Sequence, residues 1–291
     1  MSRIEKAIEI AARKRSATID EQECGAPAPA ASTATETVGT QPRAGEPMPA
    51  TKLTVQQTEK SRGQVVLPPG ANPCLVMGNA IDSPAAEQYR KLKSSIVKMV
   101  KMGACGQSLM ITSPMAGEGK SVTALNLAIS LSQEFDHTVL LVEADLRKPS
   151  LLQYLGLQAE AGLSDCVVDG LDVGSVLVKT GVDRLTLLPA GRPVDNPVEL
   201  FSSNRMQELL TEIKNRYPDR FVIIDTTPLL PFAEPQYIAN AVDGVVLVVR
   251  EHLTSIDKLN RAIEMLKHHN LLGVVCNGVN RVASLGGYYG Y

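Results

Sequence analysis

The sequence predicts an α/β fold built around a doubly wound, mainly parallel β-sheet. Short apolar runs, such as Thr138–Val142 and Phe221–Ile224, have the continuous hydrophobicity of strands that are buried on both faces. Segments of roughly 10 to 20 residues with helical patterning separate these runs, and this alternation is typical of a parallel sheet. Because ligands bind beyond the carboxyl ends of parallel strands, we expect the functional site at that edge of the sheet.

A glycine-rich turn follows the apolar run Leu109–Ile111 and opens onto a helix-forming segment. Gly117 and Gly119 can adopt the positive φ angles that turn successive backbone N–H groups toward one anion, and the following helix presents its free N–H groups to the same anion. Lys120 adds a full positive charge, and the Ser121 hydroxyl is a ligand for Mg²⁺. The turn therefore predicts a P-loop NTPase domain that binds a nucleoside triphosphate.

The turn departs from the full P-loop pattern G-x-x-x-x-G-K-[ST] at one position. The pattern requires glycine where this chain has Pro114. A plain surface turn before a helix is the alternative interpretation of such a short string. Strand, turn and helix nevertheless occur in the required order, so we interpret the segment as a variant P-loop.

The composition excludes several classes of function. The formal net charge is −2, so the chain has no overall electrostatic attraction to nucleic acid. The five cysteines lack metal-ligand spacing, which is typical of reduced thiols in a cytoplasmic protein. No apolar run approaches the roughly 20 residues that span a bilayer, and the N-terminus lacks the apolar core of a signal peptide. We expect a soluble cytoplasmic protein that reaches a membrane only through a partner.

The N-terminal part of the chain predicts a short helix on a flexible tether. Residues 1–15 carry an apolar stripe at helical spacing, and this amphipathic helix either packs on its own domain or docks on a partner or membrane surface. Residues 16–71 are rich in Ala, Pro, Thr, Gly, Glu and Gln without a periodic apolar face, which predicts a disordered linker. We place the folded domain at 72–283 and a tyrosine-rich tail at 284–291.

The first predicted helix of the folded domain is Ser83–Met99, with Ser83 as its N-cap. Glu87, Arg90 and Lys93 recur at every third position beside its apolar stripe. On the pattern alone, these residues form a solvated charged face with local ion pairs.

Acidic residues mark the ends of two predicted strands. The strand within His137–Asp145 ends at Glu143 and Asp145, and the strand Arg220–Asp225 ends at Asp225. A carboxylate that closes an apolar strand downstream of a P-loop is the usual second group on the magnesium side. A simple surface carboxylate is the alternative interpretation of Asp145.

The remaining predicted elements continue the alternation of strands and helices. They are the P-loop helix Val122–Glu134, the strand Leu185–Leu188, the helix Pro197–Arg216, the strand Gly244–Val249, the helix Ser255–His268 and the strand Leu272–Cys276.

Tyr288, Tyr289 and Tyr291 lie among glycines at the end of the sequence. No helical or strand pattern there could bury three aromatic rings. A tail that packs on another chain is one interpretation. We favour the other, in which the phenols are modification sites or a hydroxyl substrate.

Three of these segments together resemble motifs of the bacterial tyrosine kinases, the P-loop autokinases of capsule and exopolysaccharide export. TSPMAGEGKS at 112–121 is similar to the first motif of that family, which also lacks the leading glycine. VLLVEADLRKP at 139–149 and FVIIDTTP at 221–228 resemble its second and third motifs. The resemblance covers the chain from about residue 80 to residue 291.

Features outside the three strand-end motifs extend the resemblance. Glu87, Arg90 and Lys93 resemble the family's subunit-interface motif Glu-x-x-Arg-x-x-Arg, and the tyrosine tail resembles its autophosphorylated tail. SRIEKAIEIAARKR at 2–15 resembles the cytoplasmic tyrosine autokinases that accompany exosortase loci. The chain differs from the family pattern at Glu143, where the family usually has Asp, and at Lys93, where it has Arg.

The resemblance implies a nucleotide-binding role for the P-loop residues. The segment Gly117, Glu118, Gly119, Lys120, Ser121 and Val122 would bind ATP, with the Lys120 ammonium on the β- and γ-phosphates. Ser121, Asp145 and Asp225 would hold Mg²⁺.

The resemblance also implies roles for residues around the phosphates. Asp145 would orient the acceptor hydroxyl or take its proton, and Glu143 would share in positioning metal or water. Arg147 and Lys148 would offset charge on the transferred group or contact a neighbouring subunit, and Asn277 would contact adenine.

The implied activity is phosphorylation of Tyr288, Tyr289 and Tyr291 in trans within a ring-shaped homo-oligomer. The implied partners are a separate transmembrane polysaccharide co-polymerase that activates the kinase and a tyrosine phosphatase. The kinase would lie at the inner face of the cell membrane and regulate polymerisation and export of an exopolysaccharide.

Two other functions stay open on the sequence. Partition and septum-positioning ATPases share the expected fold, but they usually carry a second lysine early in the P-loop, and Ser113–Ala116 has none. A nucleotide-binding regulator of polysaccharide assembly without catalytic activity is the other alternative.

Overall fold

The computed structural model describes residues 67–216 and 219–279. The predicted helix 1–15, the predicted linker up to residue 66 and the tyrosine tail lie outside the described residues. The domain boundaries therefore stay predictions. Leu67 and Ala71, at the end of the predicted linker, pack against the core.

The described residues form one seven-stranded sheet. Its strands are β1 Ser108–Thr112, β2 Thr138–Glu143, β3 Val178–Lys179, β4 Leu185–Leu188, β5 Arg220–Asp225, β6 Gly244–Arg250 and β7 Leu271–Asn277. The order across the sheet is β3-β4-β2-β5-β1-β6-β7, and every pairing is parallel except that of β3 with β4. The predicted mainly parallel α/β sheet is confirmed.

Helices of very different length precede the first strand and connect the later ones. They are α1 Val76–Asn79, α2 Pro84–Lys101, α3 Lys120–Ser132, α4 Leu151–Leu155, α5 Leu163–Val168, α6 Val173–Val176, α7 Pro197–Ser202, α8 Asn204–Asn215, α9 Glu234–Ala241 and α10 Ile256–Met265. The predicted Ser83 cap of α2 is confirmed, because its hydroxyl accepts a hydrogen bond from the Ala86 N–H.

The single helix predicted at Pro197–Arg216 is wrong, because the chain breaks at Ser203 between α7 and α8. Ser203 has extended backbone angles, its hydroxyl donates to the Leu200 carbonyl, and the same hydroxyl accepts from the Met206 N–H. The hydroxyl thus replaces helical hydrogen bonds at the junction, which is how serine competes with a continuous helix.

The core lies on both faces of the sheet, as a doubly wound fold requires. One apolar cluster includes Phe201 and Ile224, and the opposite cluster includes Phe221 and Leu125 of α3. The helix α3 is buried along nearly its whole length, so the segment that begins at the P-loop lysine is among the most enclosed in the described chain. Within the described residues, no helix is both long enough and apolar enough to cross a bilayer.

Candidate active site

The sheet order brings three chemically important strand ends together. The strand β5 lies between β2 and β1, and β1 lies between β5 and β6. Glu143 at the end of β2 is in register with Asp225 at the end of β5, and Ile111 of β1 is also in register with Asp225. The P-loop and both predicted acidic strand ends therefore share one edge of the sheet.

The P-loop adopts positive φ angles at the two positions where the sequence analysis expects them. Gly117 has φ of 83° and Gly119 has φ of 94°, and Gly119 is the residue that precedes α3. Side chains with a Cβ rarely adopt this conformation, so both glycines are needed for the turn. Free N–H groups at the start of α3 then face the same space as the loop.

Pro114 is compatible with the loop, although the P-loop pattern has glycine at this position. The Leu229 N–H donates to the Ser113 carbonyl at 2.8 Å, and the Leu230 N–H donates to the Pro114 carbonyl at 3.2 Å. These bonds attach the start of the P-loop to the segment after β5. The φ angle at residue 114 is not positive, so the loop does not need glycine at this position.

Lys120 is the centre of the charged cluster. Its Nζ lies 2.7 Å from Asp145 Oδ2 and 3.7 Å from Asp225 Oδ1, and it donates to the Ser121 hydroxyl at 3.1 Å. Burial alone would lower the pKa of Lys120, but the carboxylates of Asp225 and Asp145 outweigh burial and raise it. Lys120 is therefore a firmly charged ammonium held between the two strand ends.

Asp225 is fully buried. Burial raises its pKa to about 6, against the opposing effects of Lys120 and of a contact with the Ser121 hydroxyl. That contact does not meet the geometry of an ordinary hydrogen bond, since neither carboxylate oxygen has a hydrogen-bond partner among the described residues. A buried carboxylate whose two oxygens lack hydrogen bonds is costly unless a ligand satisfies it.

The donor set around Asp225 fits Mg²⁺. Magnesium prefers oxygen ligands and usually takes one or two protein groups together with waters and phosphate oxygens. Ser121 and Asp225 provide a hydroxyl and a carboxylate next to the P-loop. The described residues contain no group of three His, Cys, Asp or Glu that could hold a metal without such additional ligands.

Glu143 makes contacts that the sequence analysis did not predict. Its Oε1 accepts hydrogen bonds from the N–H groups of Ser150 and Leu151, where α4 begins. Burial raises the pKa of Glu143, although these N–H donors oppose the shift. Its Oε2 has no hydrogen-bond partner among the described residues. One oxygen of Glu143 therefore anchors the chain that follows Asp145.

The side chains after Asp145 lie in different environments. Asp145 Oδ1 accepts from the Lys148 N–H at 3.0 Å, while its other oxygen holds Lys120. Arg147 donates to the fully buried Glu234 at 2.6 Å, and its guanidinium lies 4.6 Å from the centre of the Phe232 ring. Arg147 is thus fixed at the segment after β5, whereas the Lys148 side chain is exposed.

Asn277 contacts the P-loop itself. Its Nδ2 donates to the Glu118 carbonyl at 3.1 Å, and a Cβ added to Gly119 would lie only 1.9 Å from this nitrogen. The predicted contact with adenine stays a prediction. The contact with the P-loop backbone is an additional one.

Comparison with known proteins identifies the family. A profile described as the CobQ/CobB/MinD/ParA nucleotide binding domain matches residues 109–285, more than half of the chain. The tyrosine-protein kinase YwqD of Bacillus subtilis is 36% identical over 208 residues, a match that covers 70% of this chain and 86% of YwqD. The chain belongs to the bacterial tyrosine-protein kinases.

Other similar proteins agree with this assignment. The tyrosine-protein kinase wzc of Salmonella typhi is 30% identical over 221 residues, which are 75% of this chain but only 30% of wzc. The structure of the kinase domain of the Escherichia coli tyrosine kinase ETK has a TM-score of 0.66 and 27% identity, and the match covers 82% of this chain and 89% of that one. The predicted family, P-loop fold and enzyme class of this kinase are confirmed.

The kinase also has P-loop contacts that sequence reasoning missed. Arg250 at the end of β6 donates to the Gly117 carbonyl at 3.1 Å, and the Thr254 hydroxyl donates to Glu118 Oε1. Glu118 is almost fully buried, and its other oxygen accepts from the Met115 N–H at 2.7 Å. Arg250 and Thr254 lie more than 130 residues from the P-loop in sequence, and no local pattern marks them.

The charged face of α2 is paired within the kinase chain. Arg90 donates to Glu87 at 3.0 Å, and Lys93 forms an ion pair of 2.7 Å with Glu134 beyond the end of α3. The local ion pair that the pattern allows is therefore present between Arg90 and Glu87, whereas Lys93 pairs with a residue outside α2. The subunit-interface role of Glu87, Arg90 and Lys93 stays a prediction.

Proposed function

We propose that this kinase transfers the γ-phosphoryl group of ATP to Tyr288, Tyr289 and Tyr291 of a neighbouring copy of the chain. The observation that carries the proposal is the position of Lys120 between two strand-end carboxylates, 2.7 Å from Asp145 and 3.7 Å from Asp225. Enzymes that transfer phosphoryl groups combine a phosphate-binding lysine, a base that orients the acceptor and a carboxylate that binds magnesium.

ATP binding would change the partners of Lys120. The β- and γ-phosphates offer more negative charge than Asp145 and accept hydrogen bonds from the N–H groups of the P-loop. The Lys120 ammonium would move toward the phosphates and release the Asp145 oxygen that it holds. The nucleotide would thereby free the carboxylate that the reaction needs.

Asp145 is the group that we assign to the acceptor tyrosine. The phenol oxygen forms a bond to the γ-phosphorus, the bond from that phosphorus to the bridging oxygen breaks, and ADP leaves. The phenol proton passes to the released Asp145 carboxylate. A phenol with a pKa near 10 is mostly protonated at neutral pH, so a positioned base accelerates its attack.

Ser121 and Asp225 would hold Mg²⁺. Asp145 would be the third group at the metal, because its carboxylate and that of Asp225 both lie within reach of Lys120 Nζ, at 2.7 Å and 3.7 Å. Magnesium supplies charge neutralisation on the β- and γ-phosphate oxygens. Arg147, held by Glu234 and Phe232, would present positive charge at the rim of the site or at a neighbouring subunit.

We propose further that the kinase works as a ring-shaped homo-oligomer whose interface includes Glu87, Arg90 and Lys93. Phosphorylation adds roughly −1.5 to −2 charge per tyrosine, so a modified tail would be repelled from the acidic site. Release of the tail would open the ring. The proposal also includes two partners, a transmembrane co-polymerase that activates the kinase and a phosphatase that removes phosphate from the tail. The kinase would thereby control exopolysaccharide export.

A Lys120→Met variant tests the activity against the two alternatives. Purified wild-type protein incubated with Mg-ATP should acquire phosphotyrosine, and the variant should acquire none. ATP hydrolysis by the wild type without any phosphotyrosine would support an ATPase switch instead. Nucleotide binding with neither hydrolysis nor phosphotyrosine would support a regulator without catalytic activity.

A further inference from the structure

Two carbonyl groups of the P-loop are held by side chains from distant strands. Arg250 Nη1 donates to the Gly117 carbonyl at 3.1 Å, and Asn277 Nδ2 donates to the Glu118 carbonyl at 3.1 Å. Both donors come from the ends of neighbouring strands, β6 and β7. The ends of β6 and β7 therefore hold the P-loop backbone in place through side-chain hydrogen bonds.

The same peptide groups carry the N–H groups that should face phosphate. In a planar trans peptide the C=O and the following N–H point in opposite directions. A Gly117 carbonyl fixed by Arg250 turns the Glu118 N–H away from Arg250, and a Glu118 carbonyl fixed by Asn277 turns the Gly119 N–H away from Asn277. Among residues 67–216 and 219–279, neither of these two N–H groups donates to a backbone carbonyl.

A third side chain secures the loop through the buried carboxylate of Glu118. The Thr254 hydroxyl donates to Glu118 Oε1 and accepts from the Arg250 N–H at 2.9 Å. The other Glu118 oxygen accepts from the Met115 N–H at 2.7 Å. Thr254 thus links Glu118 of the loop to Arg250, the residue that donates to the Gly117 carbonyl.

We propose that Arg250, Thr254 and Asn277 are positioning residues that aim the P-loop amides at the β-phosphate of the nucleotide. Such pre-orientation lowers the conformational cost of binding, because the amides need not reorganise when phosphate arrives. The proposal rests on the nucleotide-binding role of the P-loop and not on the identity of the phosphate acceptor.

Calorimetric binding of Mg-ADP and of magnesium pyrophosphate to the full chain tests this proposal. Thr254→Val keeps the shape of the side chain but leaves Glu118 Oε1 without its donor, so both Kd values should rise by about tenfold, which corresponds to the cost of roughly one hydrogen bond. Thr254→Ser retains the hydroxyl and should bind both ligands as the wild type does. Unchanged Kd values for Thr254→Val, or an equal loss in Thr254→Ser, would overturn the proposal.

Asn277→Leu is the second variant, and at a half-exposed position it removes the amide that donates to the Glu118 carbonyl. Pyrophosphate has no base, so a positioning role requires that Asn277→Leu weaken ADP and pyrophosphate by similar factors. Weaker binding of ADP alone would assign Asn277 to adenine and remove it from the positioning set. Failure of the wild type to bind either ligand would contradict the proposed function, so the two failures are distinguishable.

Discussion

At the scale of single residues, the acidic groups around Lys120 have different tasks although they lie together. Asp145 pairs with Lys120, Asp225 keeps two buried oxygens without ordinary hydrogen bonds, and Glu143 accepts two backbone N–H groups. The sequence analysis predicted that all three surround the phosphate site. The tasks expected for them were Mg²⁺ binding for Asp225 and Asp145, the acceptor hydroxyl for Asp145, and positioning of metal or water for Glu143. The contact between Glu143 and α4 could not be predicted, because it depends on the reach of one methylene.

The contact between Glu143 and α4 predicts the behaviour of two substitutions. Glu143→Asp shortens the side chain, so the N–H groups of Ser150 and Leu151 lose their acceptor and the free energy of unfolding should fall by about 1–3 kcal/mol. Glu143→Gln keeps an oxygen in place and should preserve both stability and the Mg²⁺ concentration at half-maximal phosphorylation. Chemical denaturation and a magnesium titration measure these quantities.

The opposite ranking would show that Glu143 acts as a metal ligand. In that case Glu143→Asp, which restores the residue usual in the family, would retain activity, and Glu143→Gln would require far more magnesium.

Asp225 predicts a pH dependence of stability in the nucleotide-free protein. Its pKa is raised from 3.8 to about 6 by burial, so the folded protein binds a proton that the unfolded chain releases between about pH 4 and pH 6. The contribution of Asp225 to stability is therefore greatest at low pH and is lost as pH rises through about 6, by up to roughly 3 kcal/mol. The charges of Lys120, Asp145 and Glu143 also act on the pKa of Asp225.

Asp225→Asn isolates that contribution, because the amide does not ionise. Urea unfolding at pH 5 and pH 8 should show that the variant gains stability relative to the wild type as the pH rises. An equal difference at both pH values would contradict the raised pKa of Asp225.

At the scale of elements, the strands were the most predictable part of the fold. The strands Leu185–Leu188 and Arg220–Asp225 have the predicted bounds, since an apolar run flanked by polar residues is a local signal. The helices were less predictable. The short helices α4, α5 and α6 carry too few residues for a periodic pattern, and α9 was also missed.

The break between α7 and α8 predicts a local cost for removing one hydroxyl. Ser203→Ala eliminates both the cap of the Met206 N–H and the bond to the Leu200 carbonyl, and it should lower stability by about 1 kcal/mol. Ser202→Ala is the matched control, because the Ser202 hydroxyl only bonds back to the exposed Glu199 carbonyl. Equal melting temperatures for the two variants would show that the Ser203 cap does not stabilise the junction.

At the scale of the whole molecule, the order of the strands creates the site. Residues that are far apart in sequence meet because β2, β5, β1, β6 and β7 are neighbours in the sheet. The P-loop and the acids were predictable because each stands at the end of its own apolar strand. The contacts of Arg250 and Thr254 with the P-loop could not be predicted, because these residues approach the loop only when β6 pairs with β1.

The profile that matches this chain also includes MinD and ParA in its description, so the shared nucleotide-binding fold does not by itself identify the reaction. Similarity to tyrosine kinases, and not the sheet itself, identifies the reaction class.

The most direct test mixes two forms of the protein with Mg-ATP. One is a Lys120→Met chain with an intact tail, and the other is an otherwise wild-type chain truncated after Gly287. Peptide mass spectrometry then locates phosphate. We predict phosphate on Tyr288, Tyr289 and Tyr291 of the Lys120→Met chain only when the truncated chain is present. An unmodified tail in the mixture, while the full-length wild type becomes phosphorylated on its own tail, would contradict transfer between subunits. An unmodified tail in both samples would contradict the kinase assignment itself.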